Sequence, residues 1–321
     1  MSELDRVPRL RLLAGIDLSE RSRNAFSRAV QLAHSGGGAL ALVHVASDLT
    51  PPNLMAAHAT FAGEFLQDQV RKAQAEGVRH VTHEIAHGRE YEQLIERATK
   101  EPCDLIVLGR HRPSSVLQDM LGTTSSRVLR LAGIPVLVVQ HKAEQAYNSV
   151  LVAVDFSPAS RRALEYAMRW FPKARIEVVT AYVSPRGTRL LGEDSIRKSV
   201  AETRRLALKG FLAEVAQGLG PDYAKVAERV VAKVEHGWPE DVIQHEIEVT
   251  KPDLVVIGTH ARSGVGHAVL GSVAEWVLIE SPCDVLAVPP PHYVASAAGS
   301  SAGTAADTDV VGTSGRSARN A

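Results

Sequence analysis

The residues best placed to do chemistry lie in one glycine-rich stretch, Asp253 to Leu278 (DLVVIGTHARSGVGHAVLGSVAEWVL). An apolar run ends at Gly258, small residues follow, and Gly271-Ser272 opens an amphipathic run. This order predicts a buried strand, a loop and a helix whose N-terminus faces the loop. The unpaired N–H groups and the positive dipole end of such a helix suit a phosphate. The alternative is a tight strand-to-helix connection with no ligand, because isolated glycine motifs give many false positives.

The start of that helix carries a pattern of its own. Ser272 precedes Glu275 by three residues, which is the spacing of a capping box. In a capping box each of the two side chains bonds to the other residue's backbone N–H. We therefore expect Ser272 to be the N-cap of the helix, with Glu275 as its partner.

The glycine-rich stretch belongs to the second of two sequence copies. Four landmarks of the first copy lie 149 positions before their counterparts in the second: Gly88, Gly109, Gly122 and Val136 precede Gly237, Gly258, Gly271 and Val285. Such a fixed offset predicts a tandem repeat. The first acids of the copies, Asp17 and Asp155, lie only 138 apart. The second copy therefore carries 11 extra residues, which we place in the region 185–219.

Each copy alternates near-continuous apolar strands with helical patterns, which is typical of parallel strands covered by helices on both faces. We predict two doubly wound, Rossmann-like α/β domains in tandem, over residues 1–146 and 147–290. Residues 291–321 are rich in Ala, Ser and Gly and are expected to form a disordered tail. Doubly wound sheets bind ligands at the carboxyl ends of their strands. Asp155 and Gly258 both follow strands and are therefore expected to share one crevice.

The composition excludes several classes of protein. Lys+Arg and Asp+Glu both number 36, so no net field attracts nucleic acid. The sequence has no signal-peptide core and no apolar run of about 20 residues, so no membrane association is predicted. Only two cysteines are present, Cys103 and Cys283, which we interpret as small buried residues of a reduced protein. The expected location is the cytoplasm.

The second copy resembles the universal stress protein domain. The resemblance rests on VLVAVDFSPASRRAL, the His236-Gly237 pair, the glycine-rich stretch and SPCDVLAV, and it extends over about residues 10–140 and 149–290. In nucleotide-binding members a G-x2-G-x9-G-[ST] pattern cradles the phosphates of ATP. Here the pattern falls on Gly258, Ala261, Gly271 and Ser272. Ala261 departs from it, at a penalty of about 1 kcal/mol if that position needs a positive φ.

The resemblance also implies ligands and partners. It implies that Asp155 lies near the adenosine or its Mg²⁺, that the backbone near Val183 frames the adenine, and that Ile257 packs on the base. Family members commonly associate through the last strand of each domain. Val136–Val139 and Val285–Val288 are therefore expected to pair within the chain as a pseudo-dimer, while homodimerisation and the identity of a protein partner stay open.

The first copy departs further from the nucleotide-binding pattern. Arg112 replaces the second glycine, and its long side chain is expected to block or reshape the crevice. We predict that the first copy does not bind ATP as the second copy does. An alternative is that Arg110 and Arg112 recruit another anion, although exposed arginines usually only face solvent.

Histidines offer a further alternative in the first copy. His83 and His87 lie four apart near His80 on a predicted strand, and His44 ends the neighbouring strand; His111 lies apart from them. A metal site there competes with the simpler interpretation as surface imidazoles. No catalytic set is found in the sequence. The leading hypothesis is an ATP-binding sensor of the stress response, and the alternatives are a scaffold or small-ligand-binding stress protein without nucleotide, and a slow ATPase.

Overall fold

A computed structural model describes residues 8–48, 51–110, 123–183, 193–220, 223, 226, 228–259 and 270–291. The strands of the first copy are β1 Arg11–Gly15, β2 Ala39–Ala46, β3 His80–His87, β4 Leu105–Gly109 and β5 Val136–Val139. Those of the second copy are β6 Ser149–Ala153, β7 Arg175–Tyr182, β8 Val230–His236, β9 Leu254–Gly258 and β10 Asp284–Val288. The helices are α1 Glu20–Gly36, α2 Pro52–Ala75, α3 Glu90–Lys100, α4 Thr123–Leu131, α5 Pro158–Trp170, α6 Glu193–Leu219, α7 Pro239–Thr250 and α8 Ser272–Glu280.

All ten strands form one sheet, in the order β3-β2-β1-β4-β5-β10-β9-β6-β7-β8. Within each copy every pair of neighbouring strands is parallel, which confirms the predicted doubly wound α/β class. The copies meet where β5 pairs antiparallel with β10, with Leu137 opposite Leu286. The predicted pairing of the last strands is therefore confirmed. Because this joint is antiparallel, the strands of the two copies run in opposite directions. Their carboxyl ends therefore point to opposite sides of the molecule.

Helices cover both faces of the sheet, so the inner strands are mostly apolar. Every residue of β5 and β10 is buried. One hydrophobic core lies under α1, α2, α5 and α6, and the other lies under α3, α4, α7 and α8. The outermost strands β3 and β8 are mostly half-buried or exposed and carry His, Glu and Lys. Charged residues on the end strands oppose edge-to-edge aggregation.

A buried polar cluster fastens the two copies together. Asp284, which is 2% exposed, accepts hydrogen bonds from the Tyr147 hydroxyl at 2.6 Å and from the Gln140 N–H at 2.8 Å. The guanidinium of Arg28 lies 3.3 Å from the same carboxylate and 4.0 Å from the centroid of the Tyr147 ring. Burial, and then the Asp284 charge, raise the pKa of Tyr147 well above its usual value, so its hydroxyl remains a donor. Arg28 and Gln140 of the first copy thus meet Asp284 and Tyr147 of the second in one cluster that spans the joint between the copies.

Arg110 belongs to this junction. Its side chain is buried, and its Nη1 donates to the Ser281 carbonyl at 2.9 Å and to Gln140 Oε1 at 2.5 Å. Both interpretations of Arg110 as an exposed side chain and as an anion-recruiting residue are therefore wrong. Arg112 lies outside the described residues.

The other predictions on chain organisation fall partly outside the described chain. Helix α6 has 27 residues where α2 has 24, so part of the predicted insertion lies in this helix. Residues 184–192 and 292–321, which hold the rest of the loop before α6 and nearly all of the predicted tail, are not described. Among the described helices, none combines the length and the apolar character that crossing a bilayer requires.

Candidate functional site

A crevice of about 280 Å³ opens at the carboxyl ends of β6 and β9. The chain reverses its direction of winding between these two strands, which is where doubly wound sheets bind their ligands. The walls come from β6, β7 and β9, from the first turns of α5, α7 and α8, and from one residue of α6. Five of the predicted site residues line this crevice together: Asp155, Ile257, Gly258, Gly271 and Ser272.

Two predicted residues are not part of the described wall. Ala261 lies outside the described residues. Val183 follows the end of β7 and is 47% exposed, and the wall of the crevice comes instead from Val179, Thr180 and Ala181. The part of β7 that contacts the crevice therefore lies within the strand, before Val183.

The first turn of α8 borders the crevice. Gly271 is the N-cap, in an extended conformation at φ −62° and ψ 144°, and no side chain of the described residues caps the helix. The predicted capping box is wrong, because Ser272 is already the first helical residue and Glu275 pairs with Arg130 of the first copy at 3.0 Å. Gly271 N–H donates to the Thr259 carbonyl at 2.8 Å. The N–H groups of Ser272, Val273 and Ala274 are left without an intrahelical acceptor.

Helix α5 shows the contrasting arrangement. Its N-cap Ser157 accepts a hydrogen bond from the Ser160 N–H at 3.2 Å, so its first turn is capped from within the chain. Of the two helices that begin beside β6 and β9, α8 alone offers uncapped donors among the described residues. N–H groups without an intrahelical acceptor and the positive end of the dipole are features that suit a helix N-terminus to an anion.

Gly258 is required by packing, whatever its role toward a ligand. A Cβ atom at this position would lie 2.7 Å from Ser160 N and 2.8 Å from the carbonyl carbon of Ala159. Both are backbone atoms of the first turn of α5, so they cannot move aside cheaply. The first glycine of the motif therefore lets the end of β9 run directly against α5.

Asp155 is held by a strained turn at the end of β6. Its Oδ1 accepts a hydrogen bond from the Ser157 N–H at 3.0 Å. The intervening Phe156 has φ 67°, a left-handed conformation that costs a non-glycine residue about 1–2 kcal/mol. Its ring packs edge-on against Phe211 at a centroid distance of 5.4 Å. This packing stabilises the turn, and the turn fixes the direction of the Asp155 carboxylate.

Arg204, which the sequence analysis missed, is the only basic residue on the described wall of the crevice. It lies on α6 with its guanidinium carbon 5.6 Å from the centroid of the Phe156 ring, and its side chain is half-buried. In the sequence, Arg204 lies in the region 185–219, where the extra residues of the second copy are predicted. Helical register alone did not show which of its arginines faces inward.

The first copy has an equivalent crevice of about 390 Å³. Asp17 is held as Asp155 is, accepting from Ser19 N–H at 3.0 Å across a left-handed Leu18 at φ 65°. The described walls leave this crevice open, so they do not show the predicted block. Arg112 and its neighbours to residue 122 lie outside the described chain, and the inability of the first copy to bind ATP stays a prediction.

Side chains make the two crevices chemically different. At equivalent positions, the second copy has Thr180 on β7 and the first copy has His44 on β2. Likewise, α7 of the second copy begins with Pro239, and α3 of the first copy begins with Glu90. His58 of α2 also lines the first-copy crevice, whereas α6 contributes Arg204 to the other. The described walls of the second-copy crevice thus carry one cation and one carboxylate, and those of the first-copy crevice carry two carboxylates and two imidazoles.

The metal alternative gains no support in the described chain. His80, His83 and His87 are exposed on β3, whereas His44 is buried and bonds through Nδ1 to the Ile16 carbonyl at 2.7 Å. No group of three His, Cys, Asp or Glu residues among the described ones is arranged to hold a metal ion.

Neither cysteine suits nucleophilic chemistry. Burial raises the pKa of Cys103 and of Cys283 to about 11. Both thiols are therefore protonated at neutral pH, and the thiolate is the nucleophilic form.

Comparisons with known proteins agree with this architecture. The model of the universal stress protein family matches residues 9–140 and 146–289. A universal stress protein of Mycolicibacterium smegmatis is 25% identical over 300 residues, covering 87% of this chain and 97% of its own. Universal stress protein E of Escherichia coli K12 is 24% identical over 225 residues, covering 65% and 68%. The structure of a universal stress protein from Archaeoglobus fulgidus superimposes with a TM-score of 0.63 at 22% identity, covering 86% of this chain and 97% of that one.

Proposed function

The chain belongs to the universal stress protein family, and we propose from this premise that it is a cytoplasmic ATP-binding regulatory module of the stress response. In this proposal the second copy holds ATP with Mg²⁺, and the first copy does not. The output is a change in what the chain binds rather than a chemical product. Different residues of the second-copy crevice suit the phosphates, the Mg²⁺ and the base of the nucleotide.

The uncapped first turn of α8 is the observation that carries the proposal. Its N–H groups and the Arg204 guanidinium supply positive charge to the same crevice. Charge-assisted hydrogen bonds of this kind are the strongest that a protein offers to phosphate oxygens. The triphosphate is assigned to this wall.

Asp155 fits the accompanying cation. Mg²⁺ in nucleotide sites is commonly bound through one or two carboxylates together with phosphate oxygens. Asp155 is the carboxylate of the described wall, and its turn fixes its direction. When bound, the ion neutralises phosphate charge that Arg204 alone does not balance.

The apolar part of the crevice fits the base. Val179, Val242, Ile243 and Ile257 contribute buried hydrophobic surface to its walls. A volume of about 280 Å³ lies just below the range for small-molecule sites, roughly 300–1,000 Å³. This volume matches a base and its ribose and leaves the phosphates at the start of α8.

Binding rather than turnover is the activity that these residues favour. The described wall holds one carboxylate, Asp155, and it holds no histidine, cysteine or second acid that would act as a general base. Efficient hydrolysis needs a positioned base or water-orienting group in addition to a phosphate cradle.

The decisive experiment removes a single phosphate donor. Proline is well tolerated as the first residue of a helix, and Gly271 already has the extended conformation that precedes proline. Ser272→Pro therefore deletes one N–H and leaves α8 intact. Isothermal titration should show ATP affinity falling about tenfold or more, and adenosine affinity unchanged.

The matched control is Thr123→Pro, the same change at the first residue of α4. It should leave ATP affinity unchanged, with thermal unfolding monitored for both variants. Equal ATP affinity in Ser272→Pro and the unaltered protein would refute the phosphate site. Absence of ATP binding by the unaltered protein would refute the proposed function and favour a scaffold without nucleotide.

A further inference from the structure

We propose that the first-copy crevice is a second, independent ligand site that takes a compact organic amine lacking phosphate. The proposal does not rest on ATP binding by the second copy. It follows from the side chains by which the two crevices differ, and from one buried imidazole nitrogen.

The Nε2 atom of His44 is a hydrogen-bond acceptor that has no donor among the described residues. Only a donor can bond to the Ile16 carbonyl, so Nδ1 carries the proton and Nε2 keeps its lone pair. His44 is 5% exposed, and Nε2 is shielded from water with no hydrogen-bond partner among the described residues. A buried polar atom without a partner is destabilising, and a ligand that donates a hydrogen bond to Nε2 would remove that penalty.

The charge state of the ring makes Nε2 an acceptor at neutral pH. Burial lowers the pKa of His44, and the neighbouring His58 lowers it further, against the opposing effects of the Ile16 carbonyl and Asp17. The His58 ring lies 5.2 Å from His44, centroid to centroid, at an angle of 38°. Two imidazoles therefore stand together on the wall of the crevice.

The surrounding charge favours a cation over a phosphate. Asp17 and Glu90 both line the first-copy crevice, and its described wall has neither Lys nor Arg. In the second copy, by contrast, proline replaces the second acid and Arg204 is added. A polyphosphate would meet two carboxylates here, whereas a protonated amine would meet two counter-charges and a neutral acceptor.

The rest of the wall defines the body of the ligand. Val43, Leu94 and Leu108 are buried apolar residues that line the crevice beside the acids. An amine with a small aromatic or aliphatic body would bury its apolar surface there while its amino group reaches the polar side. The volume of about 390 Å³ limits the ligand to a small molecule.

Three isosteric probes test the charge requirement: benzylamine, benzyl alcohol and benzoate, each titrated into the full chain with ring-¹⁵N-labelled histidine. Benzylamine should shift the Nε2 resonance of His44 and bind at least tenfold more tightly than benzoate, with benzyl alcohol between them. Equal binding of benzoate, or benzylamine binding that leaves His44 unshifted, would overturn the proposal. So would a shift of His44 and His58 by Zn²⁺ alone with no response to benzylamine.

Two variants test the residues. His44→Phe should weaken benzylamine at least tenfold, and Glu90→Pro, which copies the residue at the start of α7, should weaken it several-fold without disturbing the first turn of α3. Thr180→Val in the other crevice is the control and should leave benzylamine affinity unchanged. Unchanged affinity in both His44→Phe and Glu90→Pro would refute the site, and Glu90→Pro decides the matter if His44→Phe fails to fold. ATP titration of the same samples separates this outcome from any failure of the nucleotide site.

Discussion

The two crevices share a backbone and differ in chemistry. Both lie at the reversal point of a doubly wound sheet, and both begin with an acid fixed by a left-handed residue, Leu18 or Phe156. At matching places one crevice has His44 and the other Thr180. The scaffold thus determines where a ligand binds, while a few side chains on its walls determine which ligand. Substitutions in the shared framework, and then at the positions that separate the copies, test this division.

Asp284→Ala should have the largest effect, because it disrupts the junction between the copies. It removes the carboxylate that Tyr147 and Gln140 donate to and leaves the buried Arg28 without its counter-charge. Loss of one partner of a buried ion pair costs about 3–5 kcal/mol. Urea unfolding should show this loss, and Asp104→Ala, whose partner Arg11 is exposed, should lose much less, because surface ion pairs contribute little. Equal losses in the two variants would contradict the role of the cluster.

Gly258→Ala should rank second. The new methyl group would collide with the backbone of α5, at a cost of about 1–3 kcal/mol in the free energy of unfolding. Gly210→Ala on α6 is the control, because a Cβ there meets nothing within 4 Å. That variant should gain about 0.5–1 kcal/mol, as alanine favours a helix interior. If Gly258→Ala unfolds like the unaltered protein, the packing requirement for glycine at this position is wrong.

Arg204→Gln should change ligand binding without changing the fold. Loss of one cation from the crevice should weaken ATP several-fold and reduce the dependence of its affinity on salt. The neighbouring Arg205 is exposed and pairs with Glu202, so Arg205→Gln should leave ATP affinity within error. Calorimetric titration at two salt concentrations measures both quantities. An equal response in the two variants would show that Arg204 acts only through net charge.

The smallest expected effect is a dependence on pH that only the first-copy crevice should show. Because the folded pKa of His44 is lowered from 6.5, the unfolded chain binds the proton first as the pH falls. The contribution of His44 to stability is therefore present above about pH 6.5 and decreases below it. The difference in urea midpoint between the unaltered protein and His44→Phe should change between about pH 7.5 and pH 5.5. For Thr180→Val that difference should stay constant, and a constant difference for His44→Phe would contradict the lowered pKa.

Much of this architecture is predictable from the sequence because it depends on local periodicity and on repetition. The fixed offset between copies and the apolar strands predict the α/β fold, and parallel strands bring Asp155 and Gly258 to one edge. The errors arise where a contact spans the two copies. Glu275 reads as a capping residue until Arg130, 145 positions away, is placed beside it. Arg110 reads as a surface residue until the Ser281 carbonyl, 171 positions away, covers it.

Residues on the crevice walls are hard to predict for a related reason. Arg204 is one of several basic residues on α6, and its inward position depends on how that helix packs against Phe156. The lone pair of His44 depends on a hydrogen bond to Ile16, 28 positions away. Such features require the packed structure, because sequence spacing does not encode a three-dimensional contact between elements.

The antiparallel joint between β5 and β10 has an evolutionary consequence. Had the same pairing joined two identical subunits, each inherited substitution would have altered both crevices at once. In a single chain with two copies, a substitution such as His for Thr or Glu for Pro changes one crevice and leaves the other as it was. Covalent linkage of the copies thus allows selection to act on each crevice separately while the central sheet holds them together.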